Sequence, residues 1–275
     1  MSDLVGRSEM VVHLAAETHV ARSLYSQREF FVTDVLGTQS VVNAVLKHLN
    51  RIERFIHIST SEVYGTAIRE PMDEEHPLNP TTPYAGAKAG ADRLVYSYIV
   101  SFDIPGVIIR PFNNYGPRQH LEKAIPRFIT SCILGEPLTI HGDGSARRDW
   151  IFVEDTARAI DMALISPVER VKGQVFNIGT GRSISVLDIA RLILKYFNKD
   201  DNSLSYIPDR YGQVQNHISS TEKAERILGF KASVNIEEGL KKTAQWYINN
   251  RRLWEKQIPL RKVPLRLRDG SIVWY

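Results

Sequence analysis

The chain has 275 residues, 43% of them hydrophobic and 24% charged, which is typical of a globular protein with one sizeable core or a core and a smaller lobe. The formal net charge of +4 is modest, and neither a membrane-length apolar run nor a signal-peptide pattern is present, so we expect no membrane partner. The single cysteine, Cys132, excludes an intramolecular disulfide, and its apolar helical surroundings predict a packed thiol in the reducing cytoplasm.

The first part of the chain alternates strands and helices. Short apolar runs that end in small or polar residues predict strands, and apolar residues at three- and four-residue spacings predict a helix. The predicted elements are strand 10–16, helix 30–49, strand 54–59, a helix that begins near Tyr84, and strand 106–110. This order predicts an α/β fold with a parallel sheet and right-handed crossovers.

The pattern changes from about residue 117 onward. The predicted elements are helix 124–134, strand 137–142, loop 143–148, strand 175–178, helix 186–196 and helix 236–249. We expect them to form a smaller lobe over the carboxyl ends of the strands, where open α/β sheets bind ligands. The sequence therefore predicts two domains, 1–116 and 117–275, with segments of the second returning to the main sheet.

Basic residues are concentrated near the C-terminus. They are Arg251, Arg252, Lys256, Arg261, Lys262, Arg266 and Arg268. A solvated tail or a dimer contact explains this run better than a nucleic-acid surface does, because aromatic and base-reading motifs are absent. We therefore expect no nucleic-acid partner.

Tyr84 and Lys88 have the spacing of a redox pair. Residues four apart lie on one face of a helix, where the lysine ammonium is expected to lower the pKa of the tyrosine from its usual value near 10. Such a tyrosine can accept an alcohol proton as hydride leaves the carbon. A strand end with hydroxyls over 59–61, followed by the carboxylate of Glu62, supplies a second acid/base group.

These segments and several others stand in the order found in one known family. They are HLAAETHV at 13–20, STSEVYG at 59–65, YAGAK at 84–88, RPFNNYGPR at 110–118, GDG at 142–144, RDW at 148–150 and NIG at 177–179. The chain resembles the extended short-chain dehydrogenase/reductase family, specifically its sugar-nucleotide epimerases, dehydratases and decarboxylases. The resemblance implies a Rossmann-like, doubly wound parallel sheet with a smaller C-terminal substrate lobe. It also implies a homodimer through helices near 30–49 and 84–100.

The resemblance implies a role for each matching residue of the catalytic segments. Tyr84 would exchange a proton with the sugar hydroxyl, Lys88 would bind the nicotinamide ribose, and Thr60 would hydrogen-bond the reacting hydroxyl. Glu62 would be the base of any later step, with Ser61 beside it. The cofactor would be NAD, with NADP not excluded, and it would lie against Ala15, Ala16, Ser59, Tyr84 and Lys88.

The resemblance also implies which residues hold a nucleotide-sugar substrate. Asn113, Arg148 and Arg210 would contact its diphosphate or nucleotide, because amide and guanidinium donors suit phosphate oxygens. Alternatively, Arg148 forms a surface ion pair with Asp149, and Asn113 caps a turn. No spacing of His, Cys and carboxylate residues predicts a metal site.

Three reactions remain open after a shared oxidation of the sugar at C4. A carboxylate at Glu62 favours a 4,6-dehydratase, with a UDP-glucuronate decarboxylase and an NDP-sugar 4-epimerase as alternatives. Ser61 stands where dTDP-glucose 4,6-dehydratases carry an aspartate that acts as general acid. A serine hydroxyl is a poor proton donor near neutral pH. Asp34 stands where many relatives carry Asn, a difference to which the sequence assigns no consequence.

A glycine-rich turn for the cofactor pyrophosphate is expected in this family but is not found ahead of Val11. The expectation is that the N-terminal part of the sheet is incomplete. Three explanations follow: a truncated form of a longer enzyme, a fold completed by a partner, or a catalytically silent protein that binds sugar nucleotides or serves as a scaffold.

Overall fold

A computed structural model describes residues 1–209, 212–266 and 271–274. Its first part contains, in chain order, α1 (Ser2–Val5), β1 (Met10–His13), α2 (Val20–Ser23), α3 (Gln27–Phe30), a π-helix (Phe31–Leu36), α4 (Gly37–Lys47), β2 (Arg54–Ile58), a 3₁₀ helix (Ser61–Tyr64), α5 (Pro83–Phe102) and β3 (Gly106–Pro111). The three strands begin where the sequence predicted them, but β1 ends at His13 and not at residue 16. The helix predicted over 30–49 is wrong in detail, because the π-helix divides it.

The second part contains β4 (Asn113–Tyr115), α6 (Ala124–Leu134), β5 (Leu138–His141), β6 (Arg147–Phe152), α7 (Val153–Ile165), α8 (Val168–Val171), β7 (Val175–Ile178), β8 (Ser183–Ser185), α9 (Val186–Tyr196), a 3₁₀ helix (Asp201–Ser203), β9 (Leu204–Ile207), α10 (Glu222–Leu228), α11 (Ile236–Asn249), α12 (Arg251–Trp254), a 3₁₀ helix (Glu255–Arg261), β10 (Pro264–Arg266) and β11 (Ile272–Trp274). The loop predicted over 143–148 is wrong at its end, because β6 begins at Arg147. No helix among the described residues is both long and apolar enough to cross a membrane.

The main sheet has four parallel strands in the order β1–β2–β3–β7. Every residue of β3 is buried, as expected for an inner strand of a parallel sheet covered on both faces. Ile108 packs towards α4 and α5, whereas Val107 and Ile109 pack towards α7 and α10. Strand β7 comes from the second part of the chain, so that part returns to the main sheet. The domain division near residue 116 stays a prediction.

The second part has its own core and small sheets. Strands β4, β6 and β8 form one sheet, and β5 pairs with β9 in another. Helices α6, α9 and α11 pack together over a cluster that includes Phe128, Trp150, Ile193 and Tyr247. Cys132 belongs to the same cluster and is buried, as predicted for a packed thiol.

The basic C-terminal run is not uniformly solvated. Arg261 is buried, pairs with Glu136 at 2.9 Å and donates a hydrogen bond to the Ser131 hydroxyl. Arg127 donates to the Arg261 backbone oxygen at 2.6 Å. The prediction of a solvated tail is therefore wrong at Arg261, which ties this segment to α6.

Candidate active site

Helix α5 places Tyr84 and Lys88 close together near its start. The Thr82 hydroxyl accepts a hydrogen bond from the Ala85 N–H, and Pro83 occupies the first turn, two features that fix helix N-termini. The four-residue spacing puts Tyr84 and Lys88 on one face of the helix. Both side chains are buried, with 7% and 4% of their surface exposed.

Lys88 is anchored at the carboxyl end of β2. Its Nζ donates a 2.7 Å hydrogen bond to the backbone oxygen of Ile58, which uses one of its three N–H donors. Burial lowers the pKa of Lys88, and the charges of Asp34 and Asp92 oppose this shift. Nearby carboxylates therefore help to keep this ammonium charged where little water reaches it.

The phenol of Tyr84 is hydrogen-bonded to the Thr60 hydroxyl. Burial raises the pKa of Tyr84 above its ordinary value, and the bond to Thr60 opposes that rise. The expectation that Lys88 lowers the pKa of Tyr84 is thus wrong in this structure, because burial dominates. Tyr84 packs edge to face against Phe30, with ring centroids 6.2 Å apart.

Thr60 also shapes the turn that presents Glu62. It caps the 3₁₀ helix Ser61–Tyr64, and its hydroxyl accepts a 3.2 Å hydrogen bond from the Glu62 N–H. Glu62 is partly exposed and is an electrostatic neighbour of Tyr84. One threonine therefore contacts Tyr84 and orients the backbone of Glu62.

A buried polar cluster anchors the 3₁₀ helix that presents Glu62. Arg110 donates two hydrogen bonds to Asp92, at 2.9 and 3.0 Å, and a third of 2.9 Å to the Tyr64 hydroxyl. The Tyr64 hydroxyl in turn donates to Oδ1 of Asn177 at 2.7 Å. Because Tyr64 ends the 3₁₀ helix, this cluster fixes the turn of Glu62 to β3, β7 and α5.

A cavity of about 190 Å³ lies beside Glu62. Asn113 and Arg148, which the sequence predicted to bind substrate, also line it. No described residue hydrogen-bonds to the buried Oδ1 of Asn113. Asn113 starts β4 opposite Trp150, so the alternative that it caps a turn is wrong. The cavity thus brings the Glu62 carboxylate, the Asn113 amide and the Arg148 guanidinium together.

Arg148 and Asp149 have separate environments. Arg148 is 5% exposed, and its guanidinium donates to the backbone oxygen of Arg147 at 2.9 Å. Asp149 is fully buried and accepts hydrogen bonds from Thr180 and Ser219. The alternative of a surface ion pair between Arg148 and Asp149 is therefore wrong, since neither residue is at the surface.

The remaining predicted residues lie around this centre. Ala15 and Ala16 follow the carboxyl end of β1, whose His13 is in register with His57 of β2. Ser59 and Ser61 are buried at the end of β2 and the start of the 3₁₀ helix. Arg210 lies outside the described residues.

Other residues at the site were not predicted to act there. His19, Glu122 and Gln213 line the cavity with Glu62. Nε2 of His19 is 3.1 Å from Oε2 of Glu122, and burial lowers the pKa of His19 to about 4, so its ring is neutral. Glu122 and Gln213 come from segments that are far apart in the chain. His19 lies in the HLAAETHV motif, which was the only sequence signal for any of the three residues.

The model of the GDP-mannose 4,6-dehydratase family matches residues 4–243. The chain belongs to this family. A dTDP-glucose 4,6-dehydratase of Streptomyces niveus is 39% identical over 255 residues, which are 93% of this chain and 74% of that protein. The low-salt glycan biosynthesis protein of Haloferax volcanii is 40% identical over 250 residues, or 91% and 79% of the two chains.

Solved structures of family members have the same fold. The dTDP-glucose 4,6-dehydratase of Streptomyces venezuelae with NAD and TYD bound has a TM-score of 0.88 at 34% identity, covering 94% of this chain and 80% of that one. The UDP-glucuronic acid 4-epimerase of Bacillus cereus, in complex with UDP-glucuronic acid and NAD, has a TM-score of 0.86 at 30% identity and covers 90% and 78%. The predicted fold class and the predicted enzyme class, sugar-nucleotide dehydratases and epimerases, are confirmed.

Proposed function

We propose that this dehydratase-family protein is an NAD-dependent 4,6-dehydratase of a nucleotide-activated sugar. The observation that carries the proposal is the turn 60–62, which bonds Tyr84 through Thr60 and directs Glu62 into a cavity shared with Asn113 and Arg148. An acid/base tyrosine, a second carboxylate and a phosphate-binding guanidinium are the groups that this reaction needs.

The residues described here fit the nicotinamide and ribose end of NAD. Lys88 is fixed by one hydrogen bond and keeps N–H donors for ribose hydroxyls. Ala15 and Ala16 have small side chains and directly follow the carboxyl end of β1. When bound, NAD supplies the hydride acceptor for C4 and the hydride donor for C6.

Tyr84 and Thr60 perform the first proton transfer. The C4 hydroxyl loses its proton to Tyr84 as the C4–H bond breaks, and the C4 ketone forms. Because burial raises the pKa of Tyr84, its phenolate needs stabilisation, which the Thr60 hydrogen bond supplies.

Glu62 performs the step that separates dehydration from epimerisation. The C4 ketone makes the C5 proton acidic, so Glu62 removes it and passes that proton to the departing C6 hydroxyl, which leaves as water. Hydride then reaches C6. Two protons are released, from the C4 hydroxyl and from C5, and two are taken up, by the departing C6 hydroxyl and by C5 of the product, so the protons balance. Ser61 transfers no proton in this scheme, since its hydroxyl is a poor acid at neutral pH.

The charges in the cavity favour dehydration over decarboxylation. A decarboxylase must hold a second carboxylate at C6 of its substrate. Glu62 lines the cavity, takes part in no ion pair among the described residues, and would repel that group. Glu122 also lines the cavity, but Lys123 lies 3.6 Å from it and offsets its charge, so the repulsion comes from Glu62.

Product mass tests the proposed function. The chain is incubated with NAD and with dTDP-, UDP- and GDP-hexoses, and the products are weighed by mass spectrometry. Loss of one water from one hexose, abolished in Tyr84→Phe, is the expected result. Loss of carbon dioxide from a uronate, or unchanged mass with a new C4 epimer, would contradict it. A chain that binds no NAD by calorimetry would favour the silent alternative.

We further propose a homodimer through α5 and the π-helix. Phe31, Val32 and Leu36 of the π-helix and Tyr96 and Val100 of α5 are apolar and between 42% and 66% exposed. Apolar side chains grouped on adjacent helices are typical of protein interfaces. Sedimentation at micromolar concentration is expected to show a dimer for the wild type and a monomer for Val100→Asp. Ile165→Asp on α7, which removes an equally exposed apolar residue elsewhere, should stay dimeric.

A further inference from the structure

Asp34 is a buried carboxylate near the Tyr84–Lys88 pair to which the proposed reaction gives no role. It lies in the π-helix Phe31–Leu36 and is 1% exposed. Its Oδ1 accepts a 2.7 Å hydrogen bond from the Glu17 N–H. No described residue donates to its buried Oδ2. A half-satisfied buried carboxylate destabilises a fold, so its presence calls for a functional reason.

The charge of Asp34 acts on Lys88. The two carboxylates that raise the pKa of Lys88 are Asp34 and Asp92. Asp92 is already paired with Arg110 at 2.9 Å and with Arg93 at 2.5 Å. Of the two carboxylates, Asp34 is therefore the one whose charge no described arginine cancels, and it balances the buried ammonium.

Asp34 also restrains the loop that follows β1. Glu17, whose N–H it accepts, comes directly after Ala15 and Ala16, the residues proposed to lie against the cofactor. One carboxylate thus contacts the loop of Ala15 and Ala16 and acts electrostatically on the lysine of α5.

We propose that Asp34 is a positioning residue, which in its ionised form keeps Lys88 charged and holds the 15–17 loop against the π-helix for oxidation at C4. This inference rests on the proposed function. The titratable groups that face Asp34 are Glu17 from the loop and Tyr84 and Lys88 from α5. Burial raises the pKa of Asp34 to about 6, so mild acidification discharges it.

The kinetic test uses the full chain with NAD and the nucleotide hexose that it dehydrates. Asp34→Asn keeps an acceptor for the Glu17 N–H and removes only the charge. We expect wild-type kcat to fall as pH drops through about 6. Asp34→Asn should lack that fall. Its kcat at pH 8 should be about tenfold lower than that of the wild type, which is the effect of about one pKa unit of lost stabilisation, and its KM for the sugar should be unchanged. Asp161→Asn, an exposed carboxylate on α7, is the matched control and should behave as wild type.

A second measurement needs no turnover. The Nζ signal of Lys88 is titrated by NMR in the chain without cofactor, and its pKa should be lower in Asp34→Asn than in the wild type. Equal Lys88 titrations, or an Asp34→Asn enzyme with wild-type kcat and the same acid limb, would overturn the inference. If no hexose is turned over, the proposed function fails, and the Lys88 titration alone decides the role of Asp34.

Discussion

Replacing Asp34 by Asn is predicted to stabilise the protein while slowing it. The folded-state pKa of Asp34 is raised from 3.8 to about 6. A carboxylate with a raised pKa stabilises the fold while it is protonated, and that contribution is lost as pH rises through about 6. At pH 8 the wild type therefore carries the full cost of the buried charge, and Asp34→Asn does not.

The pKa difference sets the size of this effect. A rise from 3.8 to about 6 corresponds to at most about 3 kcal/mol in the free energy of unfolding at pH 8. At pH 5 much of Asp34 is protonated in the folded state, so the difference between variant and wild type should shrink to about half.

Urea denaturation followed by circular dichroism at pH 5 and pH 8 measures this difference. The unfolding midpoint of Asp34→Asn should exceed that of the wild type at pH 8, and the excess should narrow at pH 5. Asp161→Asn should show neither effect. An Asp34→Asn protein that is no more stable than the wild type at pH 8, or a gain independent of pH, would refute the reasoning.

Three further substitutions test the site. Glu62→Gln should still form reduced nicotinamide in a stopped-flow absorbance trace, but it should release product about 10²–10⁴-fold more slowly, which is the usual contribution of a general base. Unchanged product release would exclude Glu62 as the base. Arg148→Ala should weaken binding of nucleoside diphosphate, measured by calorimetry, by about ten- to a hundredfold, as expected for a lost charge-assisted hydrogen bond. Arg182→Ala, which changes an exposed arginine, should bind like the wild type. Equal binding by Arg148→Ala and the wild type would show that Arg148 is not part of the phosphate site. Arg110→Met should lower the free energy of unfolding, measured in urea, by about 3–5 kcal/mol, because it removes the main partner of the buried Asp92 carboxylate. A loss under 1 kcal/mol would show that the cluster does not hold the turn.

Three helices of the second lobe were predictable to the residue, whereas α7 and α10 were not predicted. α6, α9 and α11 have the predicted bounds, because each has a clear apolar face over about three turns and a distinct start or stop. Helix α9, for example, begins after Ser185, whose hydroxyl caps the Asp188 N–H. Such signals are local in the sequence, so the sequence alone is enough.

Strand β6 was not predictable because its polar residues are satisfied by distant ones. Arg147, Arg148 and Asp149 are typical of a loop when taken alone. In the fold, Asp149 is fully buried and receives hydrogen bonds from Thr180 and Ser219. Partners from distant segments make a buried charge tolerable, and their positions follow from tertiary structure only.

Some residues of the candidate site could be proposed from the sequence, but their electrostatics could not. Motif order and helical spacing identified Tyr84, Lys88 and Glu62. The predicted direction of the Tyr84 pKa shift was wrong, because the shift depends on burial, and residue spacing does not indicate burial. The sequence assigned no consequence to Asp34, and only the structure shows that no described residue hydrogen-bonds to its Oδ2 and that its charge acts on Lys88.

The central claim, dehydration across C5 and C6 after oxidation at C4, is tested most directly by following the hydride. The chain is given NAD and a nucleotide hexose with deuterium at C4, and the product is examined by mass spectrometry and NMR. We predict a 4-keto-6-deoxy product that has lost one water and carries the deuterium at C6. Deuterium that stays at C4, or a product without loss of water, would contradict the claim.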